Sequence, residues 1–142
     1  MKKILIPVDG SEYSNRALEL GKKYVAALDG SIILMNVMDS AIPEGTYVIP
    51  SRFNYQQFAI DLEEQNARIL EKAKNLLGDI PVETVSGTGS PAKRIAEYAN
   101  ENDVDLIIMG SHGQSSALQR FFVGSVTAKV LTLAKPPVLV VK

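Results

Sequence analysis

Short runs of apolar residues recur along this chain of 142 residues, and stretches with helical periodicity separate them. The clearest runs are Lys2 to Val8, Ser31 to Met38, Asp105 to Met109 and Val138 to Val141. They are nearly continuous rather than alternating, which is typical of parallel strands covered on both faces. A shorter run, Val82 to Ser86, follows Pro81 and suits a sheet edge. Five strands alternating with four helices predict a single-domain α/β fold.

The helical stretches have recognisable starts and ends. Ser11 and Ser90 are predicted N-caps, and Gly87 to Gly89 is predicted to be the turn before the third helix. The apolar spacing places Phe58 and Leu76 on the buried face of the second helix. The fourth helix is predicted to open at Gly124, because helical spacing relates the apolar residues that follow, Val126, Val130, Leu131 and Ala134.

The composition narrows the classes of function. Hydrophobic residues make up 46% of the chain, and 15 Lys and Arg balance 16 Asp and Glu, as in a soluble globular protein. Nucleic acid and anionic membranes need concentrated positive charge, so neither is an expected partner. The absence of cysteine excludes disulfides and thiolate metal sites. No apolar run approaches membrane-spanning length and no signal peptide is recognisable, so we expect no membrane insertion and a cytoplasmic location.

Two glycine segments frame a candidate anion site. Gly110-Ser111-His112-Gly113 follows the fourth predicted strand, and Gly124-Ser125-Val126 opens the last helix after a gap of ten residues. The first backbone amides of a helix lack intrahelical partners, and the helix dipole leaves positive potential there. Glycine lets the main chain approach a ligand, and the hydroxyls of Ser111 and Ser125 can donate hydrogen bonds. The pattern therefore predicts a phosphate site.

Simpler interpretations of the same residues stay open. Either glycine segment alone could be a turn or a helix cap, but both segments together after a strand favour a site. No Gly-x-x-x-x-Gly-Lys-[Ser/Thr] motif occurs. Gly87 to Ala92 fits a relaxed dinucleotide fingerprint, but Pro91 removes an amide that a pyrophosphate would need, so helix entry is preferred.

Three further features could serve a ligand. Asp9, which ends the first strand, could bind a ribose or a divalent cation, and equally could form an Asx turn or an N-cap. The sequence identifies no acid partner for His112, so this residue is interpreted as a loop residue near the ligand and not as a catalytic base. The irregular segment from Asp39 to Tyr55 is interpreted as a flap over a site or a partner.

Several of these segments together resemble the universal stress protein family over the whole chain. The matching segments are Pro7 to Ser11, Asn36 to Met38, Gly89 to Ala92, Met109 to Gly113, Gly124 to Val126 and Lys135 to Val141. The glycine motif resembles the nucleotide-binding branch, whose usual form is Gly-x2-Gly-x9-Gly-[Ser/Thr]; here the long gap has ten residues instead of nine. The resemblance implies one universal stress protein domain over residues 1–142. It also implies a Rossmann-like three-layer sandwich with strand order 3-2-1-4-5.

The resemblance also implies a ligand and an assembly. ATP, with ADP or AMP left open, would place its phosphates on the main chain of Gly110, Gly113 and Gly124 to Val126. Its base would lie near Pro7, Val8 and Val37, with Asp9 near the ribose or holding Mg²⁺ or Mn²⁺. Met109, Ser111 and His112 complete the expected site. The family forms dimers through the last strand, here Val138 to Val141. At a sheet edge this apolar strand would present unpaired backbone groups unless another chain covered it.

We therefore expect a homodimeric, ATP-binding regulator of the stress response that lacks efficient catalysis. No residue is assigned a catalytic role, because phosphoryl transfer needs a positioned base and cationic stabilisation. Near the site only His112, Gln114 and Arg120 could contribute, none with a fixed role. The alternatives are a slow ATPase, an adenylyl-transfer enzyme of related architecture, and a scaffold that binds an unknown protein through the flap. Against the adenylyl-transfer enzyme, the chain lacks the Ser-Gly-Gly-x-Asp-Ser loop that such enzymes contain.

Overall fold

The fold is known from a computed structural model, which describes residues 2–39, 54–113 and 123–142. In chain order its elements are β1 (Lys2–Pro7), α1 (Glu12–Leu28), β2 (Gly30–Asp39), α2 (Tyr55–Leu77), β3 (Val82–Gly89), α3 (Pro91–Glu101), β4 (Leu106–Gly110), α4 (Ser125–Leu133) and β5 (Val138–Val141). The predicted flap, apart from its ends, lies outside the described residues, as do Gln114 and Arg120.

The strands form one parallel sheet in the order β3-β2-β1-β4-β5, which confirms the predicted fold class and strand order. Strand β1 lies at the centre, where Ile6 is opposite Leu34 of β2 and Leu5 is opposite Ile107 of β4. The chain order reverses between β1 and β4. Ligands of open parallel sheets bind beyond the carboxyl ends of the strands at such a reversal.

Helices cover both faces of the sheet. On one face Ile6 and Leu34 pack in a cluster that includes Leu18 of α1 and Leu70 of α2. On the other face the cluster is formed by Leu5, Ile33, Ile95, Ile107 and Val130, which joins α3 and α4 to the sheet. Successive strand residues point to opposite faces, so nearly continuous apolar strands were required to fill both clusters.

Some local predictions were wrong. The turn predicted at Gly87 to Gly89 belongs to β3, because Gly87 and Gly89 pair with Val37 and Asp39 of β2. Phe58 and Leu76 were assigned to the buried face of α2, but they are 40% and 43% exposed. Helical spacing selects a wide apolar stripe, whereas a helix lying on a sheet buries only the centre of that stripe. Within the described parts of the chain, no helix is both long and apolar enough to cross a membrane.

Candidate functional site

The loop after β1 is fixed by its own side chains. The amide of Ser11 donates to Asp9 Oδ1 at 2.9 Å, which is the Asx turn that the sequence left open for Asp9. Gly10 has a φ of 83°, a left-handed conformation that a residue with a side chain rarely adopts. Ser11 is the N-cap of α1, and its hydroxyl accepts the amide of Ser14 at 3.2 Å. The start of α1 is thus capped by the protein itself.

The end of β4 is held closely between α1 and α4. A Cβ on Gly110 would lie 2.7 Å from Cβ of Tyr13 and 2.8 Å from its carbonyl carbon, so glycine is needed for α1 to approach β4. Thr127 Oγ1 donates to the carbonyl of Gly110 at 2.9 Å. The amide of Ser111 donates to the carbonyl of Val141 at 2.8 Å, which extends the sheet by one residue. These contacts place α4 beside the strand end.

His112 has a defined orientation that the sequence did not indicate. Its Nδ1 is 2.8 Å from Oγ of the buried Ser111, and its ring centroid is 5.1 Å from that of Tyr13. The guanidinium of Arg16 also lies over the Tyr13 ring, 5.2 Å from the ring centre. The Ser111 hydroxyl predicted to meet a phosphate is therefore engaged with His112. Tyr13 was missed because its partners are distant in sequence.

The start of α4 differs from that of α1. Its N-cap is Gly124, which provides no side-chain cap, and the first turn contains no acidic residue. The amide of Gly124 donates to the carbonyl of Ser111 at 2.7 Å, so it is not available to a ligand in this arrangement. The amides of the next residues, Ser125 and Val126, have no partner within the helix. The exposed donors of the predicted anion site are therefore those of the helix itself.

A cavity of about 160 Å³ lies at the carboxyl ends of β1, β2 and β4. Nine predicted site residues line it: Pro7, Val8, Asp9, Val37, Met109, Gly110, His112, Gly113 and Val126. Ser111, Gly124 and Ser125, also predicted, are not among its lining residues. The lining residues that the sequence reasoning did not assign to the site are Ser14, Met35, Asn36, Pro91, Ile95 and Thr127.

The two loops meet beside this cavity. A Cβ on Gly113 would lie 2.8 Å from Oδ2 of Asp9, so the glycine loop after β4 reaches the carboxylate that follows β1. Asp9 and Gly110, which the strand order placed on one crevice, line the same cavity. Because Gly113 is exposed and Oδ2 is the end of a side chain, a larger residue at this position would displace the carboxylate of Asp9.

Asn36 is a polar residue that the strand pattern did not single out. It is 2% exposed, and its Nδ2 donates to the carbonyl of Val8 at 2.6 Å. Its Oδ1 is buried without a hydrogen-bond partner among the described residues. A buried acceptor of this kind destabilises a protein by roughly 1–3 kcal/mol unless a ligand or water supplies a donor. The available signal was one amide residue ending an apolar run.

The ionisable side chains of the cavity do not form a metal cage within the described residues. Among the residues that line the cavity, Asp9 provides a carboxylate and His112 provides an imidazole. No group of three or more His, Cys, Asp or Glu that could hold a metal occurs in residues 2–39, 54–113 and 123–142. One carboxylate can still share a hard cation with phosphate oxygens, since Mg²⁺ is usually bound in this way.

Comparison with known proteins places the chain in a family. The model of the universal stress protein family matches residues 1–142. The chain belongs to this family. It is 32% identical to the universal stress protein MJ0531 of Methanocaldococcus jannaschii, over 99% of this chain and 82% of the relative.

Solved structures of family members agree. The structure of the protein MJ0577 is 33% identical, with a TM-score of 0.80, and the match covers 99% of this chain and 95% of that one. A universal stress protein in complex with cAMP is 28% identical, with a TM-score of 0.61, over 99% and 96% of the two chains. The predicted family is thus confirmed, and at least one of its members with this fold binds an adenine nucleotide.

Proposed function

We propose that this universal stress protein binds an adenine nucleotide, with ATP as the favoured ligand, in the cavity between β1 and β4. The observation that carries the proposal is the uncapped start of α4, which opens beside a cavity lined by Asp9, His112, Gly113 and Val126. Backbone amides and the helix dipole favour a phosphate at such a position. The relative in complex with cAMP supports an adenine nucleotide as the class of ligand.

Each part of the nucleotide has a proposed place. The phosphates are held by the amides of Gly113, Ser125 and Val126, while Gly110 and Gly124 contribute by having no side chain. The base lies against Pro7, Val8 and Val37, with Met109 as a wall. Asp9 binds the ribose or a metal. In this proposal Ser111 acts through His112, because its hydroxyl is bonded to Nδ1 of that ring.

Mg²⁺ or Mn²⁺ would accompany the triphosphate. Asp9 lines the cavity, and its Oδ2 lies close to Gly113, so the carboxylate reaches the proposed phosphate end. When bound, the ion neutralises charge on the phosphate oxygens. Asp9 can supply one oxygen ligand, and the phosphates and water supply the others.

The proposed role is that of a nucleotide-dependent regulator of the stress response in the cytoplasm, not that of an efficient enzyme. Slow ATP hydrolysis is the second candidate, and the fixed orientation of His112 between Ser111 and Tyr13 favours it. Measured phosphate release at saturating ATP separates the two. Turnover that His112→Ala abolishes would establish the ATPase.

We also propose a homodimer formed through β5. This strand is at one edge of the described sheet, and its residues Val138 to Val141 are apolar and only half-buried. A second copy would cover the unpaired backbone of that edge. Sedimentation of the purified protein tests its oligomeric state. A monomer at micromolar concentration would contradict this part of the proposal.

The nucleotide site is tested most directly on the purified protein. We expect denaturation to release adenine nucleotide, detected by chromatography, and calorimetric titration of the nucleotide-free protein to show binding of MgATP. Absence of both released nucleotide and measurable binding would contradict the proposal and favour the scaffold alternative. Binding that persists without added Mg²⁺ or Mn²⁺ at unchanged affinity would contradict only the metal.

A further inference from the structure

A second cavity lies on the other side of the strand ends that form the proposed nucleotide site. It has a volume of about 370 Å³ and is lined by Asp9, Asn36, Val37, Met38, Gln65, Arg68 and Ile69. We call it the α2 groove, because the last three of these residues belong to that helix. Asp9, Asn36 and Val37 line both cavities. A ligand bound at Asp9 therefore borders the α2 groove.

Asn36, which lines both cavities, carries a buried side-chain oxygen without a hydrogen-bond partner among the described residues. Ile32 and Leu34 belong to the cluster under α1 and α2. Asn36 is the next residue on this face of β2, since side chains alternate along a strand. Its amide nitrogen donates to the carbonyl of Val8, which leaves Oδ1 as an acceptor with no donor in the described part of the chain. A ligand hydroxyl or a water would supply that donor after a small rotation of the Asn36 side chain that brings the oxygen to the cavity surface.

The helix side of the groove offers groups that recognise an anion. Gln65 and Arg68 are three residues apart, so they lie on the same face of α2. Arg68 is exposed and forms no ion pair within the described ranges, whereas Arg16, Lys22 and Lys93 pair with carboxylates on their own helices. A guanidinium beside an amide can donate several hydrogen bonds to a phosphate.

We propose that the α2 groove binds a second phosphate, esterified to the ribose of the nucleotide in the first cavity. The inference rests on the proposed function, in which Asp9 lies near the ribose. A ribose hydroxyl donates to Asn36 Oδ1, directly or through one water, and the added phosphate accepts hydrogen bonds from Arg68 and Gln65. The preferred ligand class is thus an adenosine that carries phosphate on C5′ and on a second ribose carbon.

The test compares nucleotides that differ by one ribose phosphate. Calorimetric titration of the purified protein uses AMP, adenosine 2′,5′-bisphosphate and adenosine 3′,5′-bisphosphate at matched ionic strength. We expect one of the bisphosphates to bind roughly tenfold more tightly than AMP, because charge-assisted hydrogen bonds contribute on this scale. Arg68→Ala should remove this gain and leave the affinity for AMP within twofold.

Lys74→Ala is the matched control, because Lys74 is an exposed cation of α2 that does not line the groove. The gain should survive this substitution. Equal affinities of AMP and both bisphosphates, or a gain that persists in Arg68→Ala, would overturn the inference and leave the nucleotide site intact. Failure of all three ligands and of MgATP to bind would instead overturn the proposed function, and the inference with it.

Discussion

The starts of α1 and α4 face the same crevice but differ in how their amides are satisfied. Both helices follow a loop that leaves a central strand, and both loops contain glycine. In α1 the Ser11 hydroxyl accepts the amide of Ser14, and Glu12 adds a negative charge to the first turn. In α4 Gly124 offers no side-chain cap, and the first turn contains no acidic residue.

The difference shows what turns a helix end into an anion site. A serine cap and an acidic first turn satisfy part of the donors of α1 and offset its dipole, so this helix end is less favourable to an anion. The end of α4 keeps the amides of Ser125 and Val126 and an uncompensated dipole, because its cap position lacks a side chain and its first turn lacks an acidic residue. In the proposed function, glycine at this position favours anion binding over the local stability of the helix.

The largest effect is expected where the two loops meet. Gly113→Val would put a Cβ 2.8 Å from Asp9 Oδ2, before the two methyl groups are counted, so loop and carboxylate must separate. We expect calorimetric affinity for MgATP to fall by roughly a hundredfold or more, since the phosphate donors and Asp9 are displaced together. The fold should be retained, because Gly113 is exposed.

Gly87→Val is the matched control for that substitution. A Cβ there would meet only Val37, at 4.0 Å, and Gly87 lies on β3 rather than in the glycine loop. Its affinity for MgATP should stay near that of the unmodified protein. Unchanged affinity of the Gly113 variant, with circular dichroism confirming its fold, would remove the glycine loop from the proposed site.

A smaller effect should follow from making α4 resemble α1. Gly124→Ser introduces a hydroxyl able to accept the amides that the phosphates would use. We expect affinity for MgATP to fall roughly tenfold, the scale of one charge-assisted hydrogen bond. Gly124→Ala adds the same Cβ, 3.1 Å from the carbonyl of Ser111, without the hydroxyl. Equal losses in the two variants would show that crowding, not capping, is responsible.

Removing the cap of α1 should lower the stability of the fold and leave nucleotide affinity unchanged. Ser11→Ala removes the hydroxyl that caps α1, and loss of such a cap destabilises a protein by about 1 kcal/mol. We expect the midpoint of thermal unfolding to drop by a few degrees and the affinity for MgATP to stay within about twofold. A large loss of affinity would mean that the two helix ends are not independent.

The smallest effect is expected at the amino ends of β1 and β4, which lie at the other end of the sheet from the crevice. The backbone amide of Lys3 donates to Asp105 at 2.8 Å, and this bond, with the charge of Lys2 nearby, lowers the pKa of the Asp105 carboxyl. A lowered pKa stabilises the fold above the ordinary pKa of aspartate, and this stabilisation is lost as pH falls through the lowered value. Asp105→Asn should weaken the acid dependence of unfolding measured by urea titration. An identical pH profile would contradict this.

Sequence reasoning was most accurate where a local pattern also determines what the residues do in the tertiary structure. The apolar runs predicted every strand of the sheet, and Ser11 and Gly124 were correctly placed at the starts of α1 and α4. It failed where burial depends on how widely a helix contacts the sheet, as for Leu76, and where strand pairing extends past a glycine turn signal, as at Gly87.

The sequence by itself determined the alternation of strands and helices and the glycine loop after β4, because hydrophobic periodicity and helix caps act between neighbours in the chain. Only the tertiary structure decided that Tyr13 packs against Gly110 and His112, and that Asn36 has a buried oxygen to which no described residue donates. Those contacts join residues far apart in the chain. They depend on strand order and helix approach, which no local pattern encodes.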